Sequence, residues 1–187
     1  MTARETFWTW LAKQDSPRVL EIGTRAWGNN PPRHHKGEVL RVCPSAQWLG
    51  VDVQAGEGVD IVADAHRLAD TLCTYHYHAI VCVSTLEHLA RPWVAAASMA
   101  TVIRSGGLIW CETHQTYPVH GYPSDFFRFT TEGLREVFSQ DAGWEPLEAD
   151  YSYPAKIMPP PEVDPASWNF AAEAWLNVGI TARRRQL

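Results

Sequence analysis

The segment RVLEIG at residues 18–23 constrains the fold of this chain more than any other. Val19, Leu20 and Ile22 form an apolar run with one embedded acid, Glu21, and the run stops at Gly23. A short apolar run closed by glycine reads as a strand buried on both faces, the kind a parallel sheet uses, and its end delivers backbone amides to a ligand. The event recurs downstream. WLGVD closes a second strand on Asp52 and DIVAD a third on Asp64; AIVCVSTLEH supplies a fourth strand and GGLIWCETH a fifth. Acids at the ends of three successive strands point to a ligand rich in hydroxyl and amino donors.

Between these strands the pattern changes to helical. Residues 2–14 are predicted to form an amphipathic helix, with Phe7 and Leu11 four apart and Trp8 and Trp10 flanking them. Pro31 and Pro32 forbid a continuous helix after the first strand, which displaces that helix to 36–43. Strands are predicted at 47–53, 59–63, 78–84 and 107–113, with a short helix at 65–74. An alanine-rich helix at 93–104 is expected to stop at Ser105, Gly106 and Gly107. Thr130 reads as an N-cap, with Gly133 in the first turn and Leu134, Val137 and Phe138 on one face. GWEPLEADYSY and AWLNVGITARR read as final strands, joined by a loop carrying Pro159, Pro160, Pro161 and Pro165. Strands alternating with helices, followed by two strands without a helix between them, give a single α/β domain over 1–187 with an antiparallel edge.

The order of these segments resembles that of the class I S-adenosylmethionine-dependent methyltransferases. EIGTR at 21–25 and HQTYPVHGYPSDFFRFT at 114–130 are similar to variants found in a methyltransferase type 11-like subgroup. The resemblance covers residues 15–150 well and the remainder loosely. It implies a Rossmann-like doubly wound sheet of seven strands in order 3-2-1-4-5-7-6, with strand 7 antiparallel. It also implies S-adenosyl-L-methionine as cofactor, held by Glu21, Gly23, Thr24, Arg25, Gly28, Asp52, Val53, Asp64, Ala65 and Ser84. The family pattern after the first strand is acid-x-Gly-x-Gly-x-Gly. Glu21 and Gly23 match it, whereas Arg25 and Trp27 replace the later glycines, and Gly28 is left to supply the flexibility.

Each of these positions has a plainer reading beside the functional one. Arg25 suits a bidentate clamp on the cofactor's carboxylate, or an ion pair with Glu21. Asp52 suits both ribose hydroxyls, or a turn. Asp64 suits the adenine amino group, with the Ala65 amide beside it, or a helix cap. By the same resemblance Ser84 or its backbone would face the sulfonium end of the cofactor. Glu87 and His88 are adjacent rather than four apart, so they lack the spacing of a helical metal pair; some proteins that the chain resembles hold a divalent metal with acids plus this Glu-His pair, and Ser84 stands where the resemblance implies the further acid. They read as a helix start, and no metal is expected. His34, His35, His76 and His78 read as solvent-exposed.

The loop after the fifth strand gathers His114, Tyr117, His120, Tyr122, Asp125 and Arg128 where an acceptor would lie. Residues 114–129 are expected to form a lid, held by an Asp125–Arg128 pair and packed by Phe126, Phe127 and Phe129. His114 or His120 is the candidate general base, or a surface residue.

Composition narrows the partners. Sixteen basic against 21 acidic residues leave a net charge of −5, which argues against a phosphate-binding face and hence against nucleic acid. The run Arg183, Arg184 and Arg185 reads as a solvated strand end. Cys43, Cys73, Cys82 and Cys111 show no CxxC pair, so a reducing compartment is expected, with Cys82 and Cys111 as buried thiols. No apolar run is long enough to span a bilayer, so a soluble cytoplasmic protein is expected. The expected partner is a small-molecule acceptor; a homodimer is left open. The function expected is methyl transfer to O or N of a sugar or secondary metabolite. Two alternatives stand beside it: a methyltransferase-like domain without cofactor binding, and a nicotinamide-dependent oxidoreductase, which the lack of GxGxxG disfavours.

Overall fold

A computed structural model describes residues 1–26, 34–121, 124–164 and 173–186. Expectations for Trp27, Gly28, Pro31, Pro32, Tyr122 and Pro165 lie outside the described residues. The chain opens with α1 (Ala3–Leu11), β1 (Arg18–Ile22), α2 (Lys36–Val42), β2 (Gln47–Asp52) and β3 (Ile61–Val62). It continues with β4 (Tyr77–Val83), α3 (Pro92–Val102), β5 (Ile103–His114), α4 (Thr131–Val137), β6 (Trp144–Ala155) and β7 (Ala174–Arg184). Short 3-10 turns at Ala65–Asp70 and Leu86–His88 lead out of β3 and β4.

The seven strands form one sheet in the order β3-β2-β1-β4-β5-β7-β6. Neighbours run parallel from β3 to β5, and β7 is antiparallel to both β5 and β6. This is the doubly wound order expected. Strand alternation explains the two cores. Leu20, Ile22, Ile80, Cys82, Ile109 and Cys111 face α3 and α4, where Met99, Leu134 and Phe138 are buried. Val19, Ala79, Val81, Leu108 and Trp110 face α1 and α2, where Phe7, Leu11 and Val39 are buried. Thr2 caps α1 in a reciprocal box with Glu5. Thr130 caps α4 by accepting from the Gly133 amide at 3.1 Å.

The boundaries differ from the sequence reading in ways that have physical causes. α1 stops at Leu11, its last buried position, rather than at residue 14. β3 is two residues long, because only Val51 and Asp52 of β2 reach it. The segment after Asp64 is a 3-10 turn and not an α-helix, broken at Arg67 (φ −144°). α3 ends at Val102, not at the glycines: β5 takes over at Ile103, and its irregular start absorbs Gly106 at φ +77°. Arg184 is buried rather than solvated, because its guanidinium donates to the carbonyls of Ala100, Gly143 and Arg185. His34, His35, His76 and His78 are all half-buried, contrary to expectation. Cys82 and Cys111 are fully buried, as expected, and are register partners across β4 and β5. Among the described residues no helix is long and apolar enough to cross a membrane.

Candidate functional site

β1 has β2 on one side and β4 on the other, so the strand order reverses there and a crevice opens at the carboxyl ends. A cavity of about 730 Å³ fills it. One half is walled by Gly23, Arg25, Asp52, Val53, Asp64 and Ala65. The other is walled by Ser84, His88, His114, Tyr117, His120 and Phe126.

Gly23 is required by its surroundings. Its φ is +83°, and a Cβ there would lie 1.9 Å from Thr85 Oγ1. That hydroxyl donates to the carbonyls of Ile22 and Val83, tying the end of β1 to the end of β4. Asp52 Oδ2 accepts from the Arg25 amide at 3.2 Å and Oδ1 from the Gln54 amide at 3.0 Å, leaving a lone pair on each oxygen. Asp64 does cap the turn that follows, since Oδ1 accepts from the His66 amide and meets the His66 ring. Burial pushes the Asp64 carboxyl up, yet the His66 amide and ring hold it below its ordinary value. Its other oxygen stays available to a ligand.

Two residues placed in the cofactor set do not reach the cavity wall. Glu21 points to the opposite face of the sheet, where it accepts from the His35 amide and the Trp48 indole, each at 2.8 Å. It anchors the start of α2, and its partners are these two residues rather than Arg25. Thr24 is buried, with its hydroxyl on the Val51 carbonyl. Ser84 is on the wall and is held at φ +47°, a strained conformation for a residue with a side chain. Gly28 lies outside the described residues.

At the other half, the loop after β5 folds back onto the turn after β4. The Phe126 amide donates to the Glu87 carbonyl at 2.8 Å, and the Phe129 amide to the His114 carbonyl at 3.0 Å. Asp125 and Arg128 pair through two oxygens and two nitrogens. Phe129 is buried, whereas Phe126 is half-exposed and faces the cavity. His114 stacks on Tyr117 with ring centroids 4.3 Å apart. His120 stands edge-on to both His114 and His88.

Sequence reasoning missed the centre of this half. Glu87 is fully buried, and its Oε2 accepts from Thr113 Oγ1 at 2.7 Å. His114 Nε2 lies 3.1 Å from Glu87 Oε1, while its Nδ1 meets Asn177 Oδ1 at 3.1 Å. Burial works against a charged His114 ring, but the Glu87 carboxylate outweighs it and raises the pKa. Burial likewise works against Glu87, and the His114 and Thr113 side chains bring its pKa below the ordinary value. Glu87, His114 and Asn177 come from three separate elements, so no local spacing signalled them.

Solved structures share this arrangement of strands. A methyltransferase described as S-adenosylmethionine-dependent, from Archaeoglobus fulgidus, aligns with a TM-score of 0.64 over 97% of this chain and 92% of its own, at 16% identity. The 1,6-didemethyltoxoflavin-N1-methyltransferase of Burkholderia thailandensis, solved with that substrate and S-adenosylhomocysteine, aligns at 0.67 over 98% and 77%, at 12% identity. The fold is that of the class I methyltransferases. The methyltransferase fold is also that of the cyclase SpnF, at a TM-score of 0.60 over 97% and 80% with 17% identity. At these identities the likeness is one of fold, which by itself leaves the reaction open. No family model matches the chain, and no curated protein does.

Proposed function

We propose that this protein transfers a methyl group from S-adenosylmethionine to an oxygen or nitrogen of a small molecule, a sugar or secondary metabolite. The observation that carries the reading is the cavity at the strand reversal, with Asp52 and Asp64 at one end and His88, His114 and His120 at the other. Its volume is that of a small-molecule site. The residues present fit the cofactor. Asp52 and Asp64 each keep acceptor capacity, and the Gly23 turn, packed against Thr85, sets the end of β1 at the cavity wall. Asp52 would hold the ribose hydroxyls, Asp64 and Ala65 the adenine edge, Val53 the adenine face, and Arg25 the carboxylate.

The bound cofactor supplies an electrophilic methyl group. The chain's own contribution is alignment and exclusion of water, effects that lower a barrier by roughly 7–11 kcal/mol when geometry is tight. Tyr117 and Phe126 close the acceptor half with aromatic surface. His114 faces a carboxylate and an amide oxygen, which favour its protonated ring and unsuit it as a base. His120 is the better base. Its Nδ1 meets the Pro118 carbonyl at 3.2 Å and lies beside Asp125, which leaves Nε2 to take a proton from a hydroxyl or amine.

Isothermal titration with S-adenosylhomocysteine and, separately, NAD tests the proposal. Binding of the first without the second supports it. A folded protein that binds neither is a methyltransferase-like domain without cofactor, and one that binds NAD alone is an oxidoreductase.

A further inference from the structure

The histidines at the acceptor end are arranged in a way that base catalysis does not require. One carboxylate oxygen of Glu87 and one ring nitrogen each of His114 and His120 lie within 4.8 Å of one another. Glu87 Oε1 is fully buried and receives no aligned hydrogen bond among the described residues, although His114 Nε2 is 3.1 Å away. A buried carboxylate oxygen without a donor is costly unless something positive meets it.

The outer contacts of the rings point the same way. His114 Nδ1 meets Asn177 Oδ1 at 3.1 Å, and Asn177 is oriented by its own amide nitrogen donating to Glu112 Oε1 at 3.0 Å. His120 Nδ1 meets the Pro118 carbonyl, with Asp125 Oδ2 at 3.3 Å. His88, the next residue after Glu87, sends Nδ1 to the Ser124 carbonyl at 2.7 Å and brings Nε2 to 3.9 Å from Glu87 Oε1. In all three rings Nδ1 is taken by an oxygen. That leaves Nε2 of each ring as the atom that can meet a cation, the pattern found around metal-bound histidines, and at His114 the cation would displace the proton that the Glu87 carboxylate otherwise favours there.

We infer that Glu87, His114 and His120 form a binding site for a divalent first-row cation of the zinc class, with His88 beside it as a further nitrogen donor. Imidazole with one carboxylate suits such a cation rather than magnesium or calcium, which prefer all-oxygen shells. Bonds of about 2.0–2.2 Å to a tetrahedral zinc place ligand atoms about 3.3 Å apart, close to the Glu87–His114 separation. Rotation of the His120 ring, on its half-buried loop, closes the remainder. His88, His114 and His120 all line the cavity, so the cation's open position faces the space assigned above to the acceptor. There it would lower the pKa of a bound hydroxyl and take over the role given to His120. The proposal departs from the expectation of no metal, which was drawn from Glu87 and His88 alone. Cation binding itself does not depend on the methyl-transfer reading; only its use does.

The test is a titration of the full chain, stripped with EDTA, with Co²⁺ followed by Zn²⁺. One equivalent of Co²⁺ with the visible absorption of a low-coordinate site, displaced by Zn²⁺, is expected. Asn177→Ala, which touches the cation only through His114, should weaken binding by about tenfold to a hundredfold. His114→Ala and His120→Ala should weaken it further. His76→Ala, on the far end of β4, should leave it unchanged. Glu87→Gln removes the carboxylate but sits in the core; His120→Ala is the decisive variant, because its ring lies on a loop. The site is refuted by absence of Co²⁺ binding, by binding that survives His114→Ala and His120→Ala, or by binding lost in His76→Ala. S-adenosylhomocysteine titrated against the same samples separates the two claims: cobalt bound without it removes the methyl-transfer reading and leaves the cation site, and the reverse leaves the reading alone.

Discussion

Arg128 grips Asp125 with both terminal guanidinium nitrogens, and the His120 amide donates to the same carboxylate at 2.8 Å. One ion pair therefore sets the position of the histidine at the acceptor end. The Asp125 side chain is almost wholly buried, at 3% exposure, while Arg128 keeps 25%. The guanidinium, helped by the His120 amide, holds the Asp125 carboxyl well below the usual carboxylate range.

Removing Arg128 leaves a buried carboxylate without its counter-ion. Arg128→Ala is expected to cost roughly 2–3 kcal/mol, less than the full cost of breaking a wholly buried pair because Arg128 is partly solvated. Thermal or urea unfolding measures this. Because the folded pKa of Asp125 is depressed, its contribution is present above its unfolded value near about 4 and fades as pH falls through the folded one. The gap between wild type and Arg128→Ala should narrow in acid. Equal stability at neutral pH would show that the pair does not hold the loop.

Gly23 offers a second test, because Thr85 fills the space a side chain would need. Gly23→Ala should destabilise by about 1–3 kcal/mol through a positive φ and the clash together. Adding Thr85→Ala should restore part of the loss, since it removes the clash and not the strain. A single substitution that leaves the melting temperature unchanged would contradict the tight junction of β1 with β4.

Asp52→Ala removes the acceptor assigned to the ribose. Loss of a charge-assisted bond of about 1.5–3 kcal/mol weakens S-adenosylhomocysteine binding roughly tenfold to a hundredfold. Asp70→Ala is the control: Asp70 is exposed and paired with Arg67 three residues before it. Calorimetry on both variants decides the assignment, and unchanged affinity in folded Asp52→Ala sinks it.

The parallel part of the fold was legible because β1 and β2 are short apolar runs closed by glycine or acid, and such runs pack as an interior sheet. Alternation and the two helix-free segments at the end indicated a parallel sheet with an antiparallel edge, and the resemblance implied the order of its strands. What the sequence hid depends on tertiary neighbours. Glu21 looks like a ligand acid, yet a strand residue alternates faces, and this one turns toward Trp48 and His35. Arg184 looks like part of a solvated basic tail, yet the antiparallel pairing of β7 carries it under Gly143. Glu87 looks like a helix start, and it is part of one, but its carboxylate meets His114 from the neighbouring strand. No single-chain spacing encodes a contact across 26 residues.

A structure of the protein with S-adenosylhomocysteine bound shows which residues hold the cofactor. The ribose hydroxyls are expected on Asp52, the adenine edge at Asp64 and Ala65, and the sulfur turned toward Ser84 and the space enclosed by His114, Tyr117 and His120. A ligand seated outside the crevice, or in it with the sulfur turned away from those residues, would rule out these assignments.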